Sequence, residues 1–345
     1  MPRRAAAAAA GATRDHHPAT RSGGRRQARP VREKVSIPRD RNDVVLEVGE
    51  REVRLTNLKK PFWPELGITK GDLLQYYADV APVLLPHVRD RAMVMKRYPN
   101  GAAGAFFFMK RAPTPRPPWI ETCAIEHASG SVIDFPIVQD LATLLWVINL
   151  GCIDLNEWYA RCDDVDPPDY LHFDLDPTEA ATFAQIREAA GVMRDALDTL
   201  HMPAYAKTTG SRGIHVYVPI VRGPTQKDVW TFAERFSSEI ARRHPGLLTA
   251  VYAKSKRPAR RVLVDYNQNA WGRTLASVYS VRPRPKAPVS TPVTWKEIEA
   301  GIDIEDFRID NMAARLKAVG DLWKPLLPAS RPRVDLRTFM KLSKR

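Results

Sequence analysis

Asp174 and Asp176 are the residues whose spacing most directly suggests chemistry. They stand in His172-Phe173-Asp174-Leu175-Asp176-Pro177. Successive side chains of a β-strand alternate between its faces, so Leu171, Phe173 and Leu175 point one way and the two carboxylates the other. Strand rise puts the two aspartate Cα atoms roughly 7 Å apart. Carboxylates that close repel unless cations lie between them. They suit a pair of divalent ions ~3.5–4 Å apart, the spacing used for in-line phosphoryl displacement. Pro177 ends the strand and leaves the pair at its mouth. A bare D-x-D also fits a solvated strand end whose acids only aid solubility. A third acid favours catalysis: Asp265 closes the apolar run Val262-Leu263-Val264.

A polar loop follows the acid pair, in Lys207-Thr208-Thr209-Gly210-Ser211-Arg212-Gly213-Ile214-His215. Its two glycines allow a tight turn that exposes N–H groups. Thr209, Ser211 and Arg212 add hydroxyls and a guanidinium, so the loop suits a triphosphate. It lacks the spacing and the Gly-Lys-Ser/Thr ending of a Walker loop, and a plain polar hairpin is the alternative. Ile214, Val216, Val218 and Ile220 share one strand face, which turns His215 and Tyr217 to the other. A third segment runs Lys96-Arg97-Tyr98-Pro99-Asn100-Gly101 and then Phe106-Phe107-Phe108-Met109-Lys110. Adjacent phenylalanines in a strand put at least one ring on each face, so one can stack on a base while another enters the core. Lys96, Arg97, Lys110 and Arg111 suit phosphates, although a core strand with basic edges has the same pattern.

The elements that must position these residues read as a mixed α/β chain with antiparallel pairs rather than a strict βαβ series. Residues 44–48 and 53–55 alternate around Gly49 as a hairpin. Thr69-Lys70-Gly71-Asp72 has the shape of a capping box, and Leu73, Leu74, Tyr76, Tyr77, Val80 and Val83 supply the apolar face of the helix it starts. Strands are expected at 93–95, 106–109, 171–176, 205–208, 214–220 and 262–266. Helices are expected at 138–150, 182–200 and 226–243, and again from about 294 onward. The most apolar stretch, 141–153, carries Asn149 and Gly151 and reads as a buried helix.

The chain has 345 residues, 44% of them hydrophobic, enough for a sizeable core. No apolar run approaches the ~20 residues of a membrane helix. The net charge is +14 and the pI near 9.8, which points to a polyanionic partner such as nucleic acid. Residues 1–41 hold 11 Lys/Arg against 3 Asp/Glu and so supply +8 of that charge. This Ala-, Arg- and Gly-rich segment is expected to be a disordered basic extension. It lacks the apolar core of a signal peptide, which argues against export and for the cytoplasm, at the nucleoid. Three cysteines without C-x-x-C spacing are expected to be free thiols, with no zinc site.

Asp174-Leu175-Asp176-Pro177-Thr178 formally fits the D-x-D-x-T signature of haloacid-dehalogenase-type phosphatases. Pro177 stands where that signature usually has glycine, and a long ordered segment precedes it. Taken together, the motifs resemble the polymerase domain of bacterial DNA ligase D, of the archaeo-eukaryotic primase superfamily. The resemblance covers roughly residues 44–327. It rests on Leu55-Thr56-Asn57-Leu58-Lys59-Lys60, Thr69-Lys70-Gly71-Asp72, Lys96-Arg97, Phe173-Asp174-Leu175-Asp176-Pro177, the loop from Lys207 to His215, Val264-Asp265-Tyr266 and Ser280-Val281-Arg282-Pro283. No ligase-like module follows, so a free-standing form is expected, with a catalytic domain over 42–328 and a basic tail over 329–345.

The resemblance implies largely antiparallel primase-like sheets with flanking helices and a catalytic site on a sheet face. It implies a DNA-dependent nucleotidyltransferase that adds ribo- or deoxynucleotides to a primer 3′-hydroxyl with two Mn²⁺ or Mg²⁺ ions. Asp174, Asp176 and Asp265 would bind the metals. Thr209, Ser211, Arg212, His215 and Arg282 would hold the incoming triphosphate, Lys96 would lie near its sugar, and Phe107 or Phe108 would stack on its base. Lys60 and Lys70 would take a 5′-phosphate beyond a break. The implied partners are gapped or broken DNA, nucleoside triphosphates, Ku and a separate ligase in end joining, and no membrane. Two departures stand out. Asn156 replaces the histidine of the family's Glu-x-His-x-Trp, and Gln268 replaces the arginine of Asp-Tyr-x-Arg-Asn. Asparagine can donate a hydrogen bond but cannot carry charge. These losses keep open a catalytically weak module that binds DNA ends, with the phosphatase a more distant alternative.

Overall fold

Hydrophobic alternation and threonine caps set most of the architecture. The structure is a computed structural model and describes residues 35–127, 130–327 and 333–342. The first half carries the strands β1 (Val44–Val48), β2 (Arg51–Leu55), β3 (Pro61–Trp63) and β4 (Ile68–Thr69), then helix α1 (Lys70–Val88). Strands β5 (Met93–Arg97), β6 (Phe107–Met109), β7 (Thr122–Glu126) and β8 (Val132–Pro136) follow, then α2 (Leu141–Asn149) and β9 (Cys152–Glu157). The second half runs β10 (Tyr170–Pro177), α3 (Phe183–Thr199), β11 (Tyr205–Thr208), β12 (Ile214–Pro219), α4 (Gln226–Arg243), β13 (Leu248–Thr249) and β14 (Val262–Asp265). It ends with β15 (Pro292–Val293), α5 (Trp295–Ala300), α6 (Met312–Val319) and α7 (Arg337–Leu342). Thr69, Thr182, Thr225 and Thr294 each start a helix through a full capping box, in which the side chain three residues on returns a bond to the cap's own N–H.

Two sheets matter for function. The larger has six strands in the order β13-β14-β10-β12-β11-β15, antiparallel except for the short β13–β14 pair. The smaller has the order β6-β5-β9 and is antiparallel throughout. Leu171, Phe173 and Leu175 are fully buried behind β10, where the Phe173 ring meets Phe236 of α4 at 5.2 Å. Helix α1 bonds β9 and the segment that follows β14. Tyr77 donates to the carbonyl of Ile153 in β9 at 2.7 Å, and Tyr76 to that of Tyr279 at 2.8 Å. All three cysteines are free thiols. Among the described residues, no helix is long and apolar enough to cross a membrane.

Three expectations change. The apolar stretch 141–153 is not one helix: α2 stops at Asn149, Gly151 takes a left-handed φ of 82°, and the chain turns into β9. The expected boundary at residue 41 moves back. Ile37 is buried, its N–H donates to Gln75 of α1, and Gln75 donates to the carbonyl of Val35. The part of the expected N-terminal extension before residue 35 lies outside the described residues. The expected basic tail is partly docked. Val334 bridges Ile220, Leu336 is fully buried, and Arg333 donates to the carbonyls of Asp169, Ile220 and Leu326.

Candidate active site

Strand register brings the acids together. Asp174 sits opposite His215 of β12 on one side and opposite Asp265 of β14 on the other. Asp174 and Asp176 share the face expected from alternation and line a cavity of about 450 Å³. The opposite wall comes from the small sheet. Lys96 of β5 lies in register with both Phe108 of β6 and Asp154 of β9, and Val94 with Asn156, so these side chains share a face and line the same cavity. Thr209, Ser211, Arg212, His215 and Arg282 complete it. Ten of the expected site residues thus meet at one cavity although they come from separate stretches of chain.

The electrostatics of the acid pair are unusual. Burial, with the neighbouring Asp265, pushes the Asp174 carboxyl up to about 7. The charge of Asp174, with burial, pushes Asp176 up to about 7 as well. His215 brings Nε2 within 3.3 Å of Asp174 Oδ1. Burial, with Lys207 and Arg282 nearby, holds that imidazole well below its ordinary value and so neutral. It cannot answer the carboxylate's charge. Asp174 Oδ1 and His215 Nδ1 are both buried without a hydrogen-bond partner among the described residues. Buried polar atoms without partners are costly. The two carboxylates fit divalent metal ions by donor chemistry.

Asp265 lies opposite Asp174, but its carboxylate is already bonded. Its Oδ1 accepts from the N–H of Asn267 and its Oδ2 from Gln268 Nε2, both at 2.9 Å. The carboxylate therefore caps its own turn. Among the described residues, no three carboxylate, imidazole or thiolate groups converge as a ready-made metal site. Gln268, one of the two departures, is the side chain that ties it down.

The 209–213 loop also departs from expectation. Its N–H groups are not free for phosphate, because Thr209 Oγ1 accepts from those of Ser211, Arg212 and Gly213 at 3.1, 3.1 and 3.0 Å. Thr209 is consumed in shaping the loop. The side chains of Ser211, Arg212 and Arg282 line the cavity beside it. Gly213 is obligatory, since a Cβ there would stand 2.2 Å from the carbonyl oxygen of Leu175.

Lys96 is held close to aromatic rings. Its ammonium lies 4.1 Å from the centroid of Phe106 and 5.6 Å from that of Phe108. Phe108 is exposed and lines the cavity, whereas Phe107 points the other way, under the guanidinium of Arg97. Of the two phenylalanines, Phe108 is the one that faces the cavity. Lys60 and Lys70 lie outside this cavity and adjoin one another through a backbone bond. Lys60 donates to Asn100 at 3.2 Å. Lys70 is buried, and its ammonium donates to the carbonyl of Thr56 and to Asn149. Burial, with Lys60 beside it, pushes it down to about 8. Lys70 is therefore already bonded within the fold, and Lys60 is the more accessible cation.

Asp154 and Lys207 are site residues that the sequence reading did not select. Asp154 is almost fully buried, with Oδ2 3.4 Å from Arg282 Nε and 3.9 Å from Lys96 Nζ. It holds two cations at the cavity wall. Lys207 is opposite His215 in register and fully buried, and donates to the carbonyl of Ala276 and to Ser290. The Lys-Thr-Thr-Gly segment contained one signal and the Asp-Leu-Asn-Glu-Trp segment the other, but the burial of both depends on β9 and β15.

Comparison with known proteins adds to this geometry. The family described as "LigD, primase-polymerase domain" matches residues 69–323. The multifunctional non-homologous end joining protein LigD of Mycolicibacterium smegmatis is 35% identical over 276 residues, 79% of this chain and 36% of that protein. The bifunctional LigD of Bacillus subtilis is 27% identical over 270 residues, 78% of this chain and 43% of that protein. The chain thus spans less than half the length of these relatives. The polymerase domain of Mycobacterium tuberculosis Ligase D, solved in complex with DNA, superposes with a TM-score of 0.76 at 30% identity, over 82% of this chain and all of that one. The chain belongs to the LigD primase-polymerase family of metal-dependent nucleotidyltransferases.

Proposed function

We propose that this chain is a template-directed polymerase that fills gaps or extends ends at DNA breaks, within non-homologous end joining. One observation carries the reading: an acid pair whose carboxyls stay raised despite the nearby Arg212 shares a single cavity with Arg212, Arg282 and Lys96. Asp174 and Asp176 would hold divalent cations, Mn²⁺ or Mg²⁺. Asp265 would join them by exchanging its bond to Gln268. The chemistry these ions supply when bound is acidification of the primer 3′-hydroxyl and neutralisation of the departing pyrophosphate. In the reaction the 3′-oxygen bonds to the α-phosphorus, the α–β phosphoanhydride bond breaks, and pyrophosphate leaves.

The protein's own part is binding and orientation. Arg212 and Arg282 would grip the triphosphate, with Ser211 donating to it and neutral His215 orienting Asp174. Asn156 would offer a hydrogen bond where the family has a histidine. Phe108 would stack on the incoming base, with Lys96 beside the sugar, and either ribo- or deoxynucleotides fit this description. Lys60, supported by Lys70, would take the 5′-phosphate across the gap. Ku and a separate ligase are the proposed partners, and the nucleoid the site of action.

The test is primer extension on a duplex with a one-nucleotide gap and a downstream 5′-phosphate, with ribo- and deoxynucleotides in each metal. Templated incorporation that Asp174→Ala abolishes is the expected result. Incorporation retained by Asp174→Ala overturns the assignment of the acid pair. A second reading has its own support in the tethered Asp265 and the uncharged Asn156: a weak polymerase that mainly binds ends. Gap binding without incorporation in either metal is the result that favours it.

A further inference from the structure

A second cavity, of about 410 Å³, lies on the far side of the phosphate-binding loop. Ser211, Arg212 and Arg284 line both cavities and form the wall between them. Arg284 braces that wall, donating to Ser211 Oγ from Nε at 3.2 Å and from Nη2 at 2.7 Å. Among the described residues, neither Arg212 nor Arg284 forms an ion pair. Lys286 pairs with Glu305, and Asp303 accepts only from backbone, at the N–H of Glu305. Two arginines against one unpaired carboxylate leave the lining positive, with that charge on the shared wall.

Apolar side chains also line the cavity. Phe183 and Ile186 come from the first turns of α3, joined by Pro288 and Ile304. The cavity is within the ~300–1,000 Å³ range of small-molecule sites. A ligand that satisfies both sets of side chains must present a flat apolar body to one and an anion to the other. Aromatic bases stack on apolar and aromatic side chains, and phosphates take arginine forks. We propose that this cavity is a second nucleotide subsite, with the base against Phe183 and Ile186 and the phosphate on Arg212 and Arg284. It rests on the polymerase reading only in that the same wall would grip the incoming triphosphate from its other side. The nucleotide unit has two sources, a free nucleoside triphosphate or one residue of a single-stranded extension.

Equilibrium dialysis of the full chain against uridine triphosphate, without primer, tests this. Two equivalents per chain are expected. Ala181→Trp and Lys286→Glu both alter residues of the second cavity that do not line the first. The tryptophan fills the space and should remove one equivalent. The glutamate should weaken the second equivalent by roughly tenfold through charge repulsion. The KM for templated incorporation by Ala181→Trp should stay at the wild-type value. One equivalent in the wild type, or two undiminished in both variants, overturns the proposal. Added oligodeoxythymidylate that displaces only the second equivalent assigns the subsite to a strand, and its retention assigns it to free nucleotide. Two equivalents falling to one in a chain that incorporates nothing would keep the subsite and remove the polymerase reading. Normal incorporation with one equivalent would do the reverse.

Discussion

Asp169 lies just before β10 and Asp174 lies within it, and their surroundings are opposite. Asp169 accepts from Arg91 Nη2 at 2.6 and 2.7 Å and from Arg161 Nε at 3.0 Å. Burial works to raise its carboxyl, but Arg91 and Arg161 outweigh that and hold it below its ordinary range. Asp174 is buried to a similar degree and meets another acid and a neutral histidine instead. One carboxylate is matched by the fold. The other is left for something the fold does not supply. Strand register sets Asp174 between His215 and Asp265, whereas Arg91 and Arg161 reach Asp169 from outside the strand.

The largest expected effect breaks the matched side. Asp169→Ala leaves Arg91 buried and unpaired, and should cost about 3–5 kcal/mol in urea unfolding. A loss below about 1 kcal/mol would remove the contrast. The unmatched side should respond with the opposite sign. Asp174→Asn removes a buried like-charge repulsion and should stabilise the chelator-treated chain by about 1–2 kcal/mol near neutral pH, while abolishing extension.

The pH dependence follows from the same pair. Asp174 and Asp176 hold protons in the folded chain that the unfolded chain releases, so their contribution to stability declines as pH rises from about 4 to about 7. Asp169 has a depressed value, so its contribution is complete above its unfolded value near 4 and is lost as the pH falls further. Urea midpoints of wild type and Asp174→Asn across this range should converge toward acid and separate toward neutrality. Parallel curves would contradict the raised values. The smallest expected effect sharpens the functional side: Asn156→His should lower the KM for nucleotide by a few-fold, because a ring N–H reaches the triphosphate end of the cavity as a donor. An unchanged KM would place Asn156 outside the nucleotide grip.

Much of this was legible in the sequence. Period-two alternation put Asp174 and Asp176 on one face, and the capping box at Thr69 marked where α1 begins. What was hidden depended on tertiary contacts. The apolar continuity of 141–153 concealed the turn at Gly151, and with it β9 and the buried Asp154. Three consecutive phenylalanines have no intrinsic facing, and only pairing with Lys96 selects Phe108. Lys70 reads as a surface cation in a capping box, yet Thr56 and Asn149 take up its ammonium. That Asp265 bonds to Gln268 is a side-chain choice no spacing rule contains.

The most direct test of the unmatched acid pair is calorimetric titration of Mn²⁺ into the full chain at about pH 6.5, in buffers of different ionisation enthalpy. The predicted result is binding with proton release in the wild type, and an affinity weakened by roughly tenfold or more in Asp174→Asn. Equal affinity in the two proteins, or binding without proton release, would contradict the claim that this carboxylate awaits a cation.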